Sequence, residues 1–209
     1  MFGPENLRQY ALLADGERGA LIGPRGDIAF MCAPRWHDDA VFSGLLGGRS
    51  AYAVTPRDPR FTWGGHYERG SLVWRSRWVT TDSVVECREA LAYPGDRERA
   101  VLLRRVEPVL GAGRVQVVLH LRAGFDAHPM AVRRTGASTW EGSSGDVVLR
   151  WTGVPDHARV VDGALTVALD VPAGERHDLV LEVACAELPA RAPDPEHAWR
   201  RRPCRRRRW

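Results

Sequence analysis

The feature that most restricts the fold of this chain is a repeated alternation of apolar and polar residues with period two. Leu72, Trp74, Ser76 and Trp78 alternate with Val73, Arg75 and Arg77. Val115, Val117, Leu119 and Leu121 alternate with Gln116, His120 and Arg122, Val118 being the apolar exception. Residues 164–171 and 178–185 read the same way. Successive side chains of a strand point to opposite faces, so the pattern describes strands with one buried and one wet face. Strands of that kind pair antiparallel, because parallel sheets are covered on both sides. Turn signals separate the runs: Asp15-Gly16, Arg25-Gly26-Asp27, Pro94-Gly95-Asp96, Gly111-Ala112-Gly113, Gly145-Asp146, Asp162-Gly163 and Pro172-Ala173-Gly174. Short strands between closely spaced turns predict an all-β fold, an antiparallel two-sheet β-sandwich. One short helix of one or two turns is expected near 39–46, closing at Gly47-Gly48.

A chain of 209 residues suits one substantial domain and not two. No apolar run approaches the roughly 20 residues of a membrane-spanning helix. The N-terminus lacks the basic start and apolar middle of a signal peptide, so a soluble, cytoplasmic protein is expected. All 30 basic residues are Arg and none is Lys, which fits codon bias in a GC-rich genome. Up to residue 199 there are 23 Arg against 26 Asp and Glu, a net charge of −3; the last ten residues carry seven Arg and no acid. The texture changes after Leu188, so residues 1–188 are read as the domain and 189–209 as a Pro-rich linker with an Arg-rich tail. That tail can be a nucleic-acid-binding arm, a solvated disordered tail, or the product of a frameshift in GC-rich DNA. It has no apolar periodicity, so removing everything after Leu188 is expected not to affect folding. The cysteines, at 32, 87, 185 and 204, show no CxxC spacing and are read as buried free thiols.

The search for chemistry is mostly negative. There is no phosphate loop with its Lys, no Gly-x-Ser-x-Gly and no His-Glu-x-x-His. No cofactor, metal site or catalytic residue is expected. The densest polar cluster is Arg35, Trp36, His37, Asp38 and Asp39, on a loop leaving a strand. It can bind a sugar or do acid–base work; equally, it can be a turn in which Asp38 or Asp39 caps the short helix. Trp63, Tyr67, Trp74 and Trp78 fall close together and read either as a sugar-stacking surface or as core and sheet aromatics.

Residues 7–16 (LRQYALLADG), 19–23 (GALIG), 26–35 (GDIAFMCAPR) and 40–47 (AVFSGLLG) run in the order and spacing of a known pattern. Together they resemble the start of the prokaryotic glucoamylase- and trehalase-like enzymes of glycoside hydrolase family 15. Residues 67–74 and 84–91 are similar to later strands of that family, and the likeness covers roughly 7–188. Trp36, His37 and Asp38 stand where the family has Phe, Asp and Ser. The resemblance implies a supersandwich-type N-terminal domain, a helical linker, and an (α/α)6 barrel that carries both catalytic glutamates. No residue here matches either glutamate. The resemblance therefore implies a non-catalytic N-terminal domain of a carbohydrate-metabolising hydrolase, with the missing barrel as its partner. The alternatives are a stand-alone carbohydrate-binding module and a nucleic-acid binder acting through the tail. The loop 25–46 is expected to face the barrel, with Arg35–Asp39 and Phe42 as its candidate sugar-site or interface residues. Phe30 and Met31 are expected to divide between the two faces of their strand. The remainder of Trp36, Val41, Phe42, Leu45 and Leu46 is expected to form an exposed apolar patch that can drive self-association.

Overall fold

The computed structural model describes residues 5–200. Its strands, in chain order, are β1 (Ala11–Ala14), β2 (Gly19–Ile22), β3 (Ile28–Cys32), β4 (Ala40–Phe42), β5 (Ala51–Pro56), β6 (Thr62–Tyr67), β7 (Trp74–Val79) and β8 (Val84–Leu91), then β9 (Arg99–Leu110), β10 (Gly113–His120), β11 (Ala131–Arg134), β12 (Thr139–Ser144), β13 (Val147–Thr152), β14 (Arg159–Val161), β15 (Ala164–Val171) and β16 (His177–Ala184). Every strand pairing is antiparallel. One sheet has eight strands in the order β11-β12-β13-β16-β9-β8-β7-β6; two smaller sheets run β1-β2-β3-β4 and β14-β15-β10-β5. A bridge between Asp27 and Ala53 joins the two small sheets, which together form the second layer. The alternation works as expected: Trp78, Val85, Leu102, Leu181 and Trp151 of the large sheet meet Leu13, Met31, Phe42, Val54 and Val117 in one core. Each such side chain contributes about 1.5–3 kcal/mol by leaving water. At Gly26 the chain passes so close to β5 that a Cβ would lie 2.1 Å from the Val54 carbonyl oxygen; with φ at 68°, only glycine fits.

The helix expected near 39–46 is not there. Ala40–Phe42 form β4, fully buried and paired to β3, and only Gly44–Leu46 make a single 3-10 turn that closes at the left-handed Gly47. A β-branched and an aromatic residue with a ladder partner gain more as a strand than a two-turn helix interrupted by Gly44 can return. A second correction concerns the segment after Leu188. Residues 189–194 are irregular, as a linker should be, but Pro195–Arg200 form a helix, α1, with Asp194 accepting the His197 N–H at 2.7 Å. Ala198 and Trp199 of α1 are buried on a strip of the large sheet's outer face made by Ala90, Val101, Leu103 and Val180. A single Trp leaves no periodic signal in the sequence, so this packing shows only in the structure. The Arg run 201–209, with Cys204 and Trp209, lies outside the described residues. Among the described residues, Cys87 is buried, Cys32 half-buried and Cys185 exposed, so of these three only Cys87 fits the buried free thiol expected.

The two faces of the eight-stranded sheet carry different chemistry. Outside, Arg75 reaches Glu68, Glu86 and Glu107, Arg88 clamps Glu68, and Arg105 holds Asp178 and Glu196. The Trp199 ring lies 4.3 Å from the Arg88 guanidinium, and its Nε1–H donates to Asp178 at 2.9 Å. Inside, one pair is immersed in the core. Arg104 lies 3.1 Å from Glu89, stacks 4.3 Å over Tyr52 and donates to the Gly26 carbonyl. Ser76 donates to Glu89 at 2.7 Å.

Candidate functional site

Residue types single out the loop between β3 and β4, and the structure divides those residues into different roles. Asp38 accepts the Arg35 N–H at 2.8 Å, and its own N–H donates to the Arg35 carbonyl at 3.3 Å. Asp38 therefore closes a turn and caps no helix. The Arg35 guanidinium reaches the Glu98 carboxylate at 2.6 Å, an interaction that lifts Arg35 above its ordinary value. Its Nε–H also donates to the Arg97 carbonyl, so Arg35 ties the loop to the β8–β9 turn. His37 and Asp39 are exposed. Burial, with Asp38 and Asp39 adding to it, raises the Cys32 thiol at the end of β3. Phe42 is wholly buried, 6.5 Å from the Tyr52 ring, and belongs to the core and not to the loop surface.

Trp36 is the large apolar side chain this loop gives to solvent. It is 55% exposed, and its ring lies over Gly19 so closely that a Cβ there would come within 2.3 Å of the indole. Gly19 is thus a seat for Trp36, with Leu12 beside it. Leu12 pairs with Leu21, and Leu21 with Phe30, so a half-buried to exposed apolar row crosses β1, β2 and β3 on the outer face of the small sheet. Phe30 and Met31 divide as the alternation requires, Met31 inward with no exposure. Val41 joins Phe42 in the core, Leu45 is half-buried, and Leu46 is 66% exposed on the 3-10 turn. Of the residues expected in an exposed patch, Trp36 and Leu46 are exposed and Val41 and Phe42 are not, and Leu12, Leu21 and Phe30 form an outward apolar row on the same small sheet. The sequence signal for that was available: one outward apolar residue in each of three neighbouring strands.

The four clustered aromatics do not form a stacking platform. Trp78 is fully buried and donates to the Pro24 carbonyl. Trp74 donates to Ser76 and packs edge-on against Tyr67 at 4.9 Å, and the Tyr67 hydroxyl binds both the N–H and the carbonyl of Leu12. Trp63 is left, 37% exposed on an edge strand. A cleft of about 490 Å³ lies between the small sheets, lined by Asp27, Arg49, Ser50, His120 and Asp162 among others. Burial lowers His120 below its ordinary value, and its Nδ1 faces the Arg49 carbonyl at 3.2 Å. Among the described residues, no three His, Cys, Asp or Glu side chains converge to hold a metal ion. Among them, too, no helix is long and apolar enough to cross a membrane.

Residues 3–209 match the family described as trehalase-like, N-terminal. The trehalase of Mycobacterium tuberculosis is 30% identical over 72% of this chain and 24% of its own length. That of Mycolicibacterium smegmatis is 26% identical over the same shares. The chain thus spans about a quarter of the curated relatives it matches. Among solved structures, a protein assigned as a kojibiose phosphorylase from the human microbiome aligns with a TM-score of 0.39 and 13% identity, covering 83% of this chain and 29% of that one.

Proposed function

The chain belongs to the family of trehalase-like N-terminal domains, and from that premise we propose that it is the non-catalytic β-sandwich of a trehalase- or glucoamylase-like hydrolase of glycoside hydrolase family 15. Its partner is the (α/α)6 catalytic barrel, and the parent enzyme works in carbohydrate metabolism. Free thiols at Cys32, Cys87 and Cys185 suit a reducing, cytoplasmic setting. The observation that carries the reading is the Leu12–Leu21–Phe30 row extended by Trp36. A half-exposed Trp seated on a glycine beside three apolar side chains is the surface a packed neighbour covers, since Trp dominates buried interface centres. Two of the polar groups around it are engaged, Arg35 with Glu98 and Asp38 with the Arg35 backbone, while His37 and Asp39 stay exposed. The engagement of Asp38 in the turn favours a structural role for it over acid–base work, which needs an acid and a base held across one bond.

Two measurements test this. The purified chain should not hydrolyse trehalose, maltose or starch above a heat-killed control; turnover abolished by Asp38→Asn or Asp39→Asn would make the loop an active site. In a full-length chimera where this chain replaces the N-terminal quarter of the M. tuberculosis trehalase, amides 33–39 should exchange hydrogen at least tenfold more slowly than in the isolated chain. Trp36→Ala should remove most of that difference. Equal exchange in chimera and isolated chain would refute packing at this face.

A further inference from the structure

The loop after β10 spends backbone strain to hold an aromatic ring in water. Gly124, Phe125 and Asp126 have φ of 64°, 53° and 79°, three successive residues in the left-handed region. Glycine takes that conformation freely, whereas a bulky residue such as Phe is an outlier there. Nothing about Phe125's own burial repays the strain, because its side chain is 51% exposed. The surroundings impose the shape. The Phe125 N–H donates to the Ala40 carbonyl at 3.1 Å, the Asp126 N–H to Arg122, and the His128 N–H to Ala123. The Asp126 carboxylate accepts the N–H groups of both Arg49 and Ser50 at 2.9 Å and pairs with Arg122 at 3.1 Å. Arg122 donates in turn to the Asp126 carbonyl, and Ser144 bridges Ala123 and His128. Backbone strain held from this many sides is a mark of a site whose geometry is set for a partner.

The same network fixes a second exposed apolar side chain. Arg49 and Ser50, bound by Asp126, follow the 3-10 turn on which Leu46 stands 66% exposed. Phe125 and Leu46 therefore sit on two loops locked to each other by one carboxylate. Both loops adjoin the β4 edge of the small sheet, through Ala40 and Ser43, whereas Trp36 lies over β2. They form a second contact point, separate from the Trp36 row.

We propose that Phe125, with Leu46, is a pre-formed anchor that inserts into an apolar socket on the catalytic module of the parent hydrolase. The inference rests on the reading that this chain packs against such a module. The trehalases it matches carry about three-quarters of their length outside the matched region, which supplies an occupant of sufficient size. A rigid ring loses little conformational freedom on docking, so strain held in the free domain is returned as preorganisation in the complex.

The test compares the isolated chain with the chimeric trehalase described above by hydrogen exchange, with Phe125→Gly in both. In the chimera, amides 122–128 should exchange at least tenfold more slowly than in the isolated chain. Phe125→Gly should leave the isolated chain's melting temperature unchanged or higher, since glycine relieves the strain, yet return amides 44–50 of the chimera to the isolated-chain rate. If 33–39 slows but 122–128 does not, the anchor is refuted while the packing stands. If neither slows, the packing reading falls and the anchor with it. A lower melting temperature for isolated Phe125→Gly would make Phe125 a structural residue and overturn the proposal. Slowing at 122–128 in the isolated chain as its concentration rises would assign the socket to a second copy of this chain, and overturn it likewise.

Discussion

The eight-stranded sheet places charge on both of its faces and uses it in opposite ways. Outside, the charges share partners near solvent: Arg75 reaches Glu68, Glu86 and Glu107, and Glu68 is also held by Arg88, a lattice in which no single contact decides much. Inside, Glu89 and Arg104 have essentially no solvent and few partners; one Glu89 oxygen and two Arg104 nitrogens lack a hydrogen bond. Desolvating two ions costs several kcal/mol each, and their attraction repays it only while both are present. Number of partners gives the outer face tolerance. Scarcity makes the inner pair a point of failure.

The sharpest break in this contrast is Glu89→Ala. It strands the Arg104 charge in the core and should cost about 3–5 kcal/mol, most of a typical domain's stability. The double change Glu89→Leu with Arg104→Met should recover much of the loss in denaturant unfolding. A single-mutant cost below about 1 kcal/mol would show that the pair is hydrated and the two faces alike.

Titration separates the faces next. Burial pushes the Glu89 carboxyl up to about 7, against the opposing pull of Arg104 and Ser76, while the unfolded group titrates near 4.5. The folded chain therefore holds the extra proton between those values, and stability falls as pH rises from about 4.5 to 7, by on the order of 3 kcal/mol in total. Asp27, raised by burial, acts in the same direction. Glu68 outside is lowered, chiefly by its hydrogen bond from Arg88, so its contribution is complete above about 4.5 and is lost as pH falls further. Denaturant midpoints should peak on the acid side of neutrality, and Glu89→Gln should flatten only the limb above the peak. A midpoint climbing steadily to about pH 8 in the wild type would contradict the assignment of Glu89.

The smallest effect belongs to the helix that roofs the lattice. Trp199→Ala uncovers Ala90, Val101, Leu103 and Val180 and should cost about 2 kcal/mol, a melting shift of roughly 4–8 °C for a domain of this size. Truncation after Leu188 should do the same. A shift under about 1 °C would mean that the outer face needs no cover.

Much of the fold could be read from the chain because β10 and β15 alternate between buried and less buried side chains, and the turn signals fall where one strand gives way to the next. Four things could not be read in this way. Glu89 and Arg104 sit at inward positions, where a charged residue simply interrupts the pattern, so the core pair is invisible until β8 and β9 are in register. Phe42 looked like a loop residue because only pairing with β3 turns its short apolar run into a strand. Trp36 was legible as a residue, and its row of neighbours was signalled by one outward apolar residue in each of β1, β2 and β3, but its seat at Gly19 appears only once the loop is folded over β2. Phe125 carries no local signal at all, since its strain is imposed by Ala40, Arg49 and Ser50 from elsewhere in the chain.

The outermost strands of the large sheet bear on how the protein behaves in a crowded solution. A long antiparallel sheet offers unpaired backbone groups at both margins, and each is an invitation for another chain to add a strand. At β6 the margin contains Gly64 and Gly65, with the Trp74 indole pressed so close to Gly65 that a Cβ would meet it at 2.2 Å. At β11 the strand is four residues long and ends in Arg133 and Arg134, the latter folding back to the carbonyls of Gly136 and Ala137. One margin is weakened and shielded by a ring, the other short and positively charged. Sheet growth by edge addition is opposed at both ends, so the exposed apolar groups near Trp36 and Phe125 can remain available for side-chain docking without seeding fibrils.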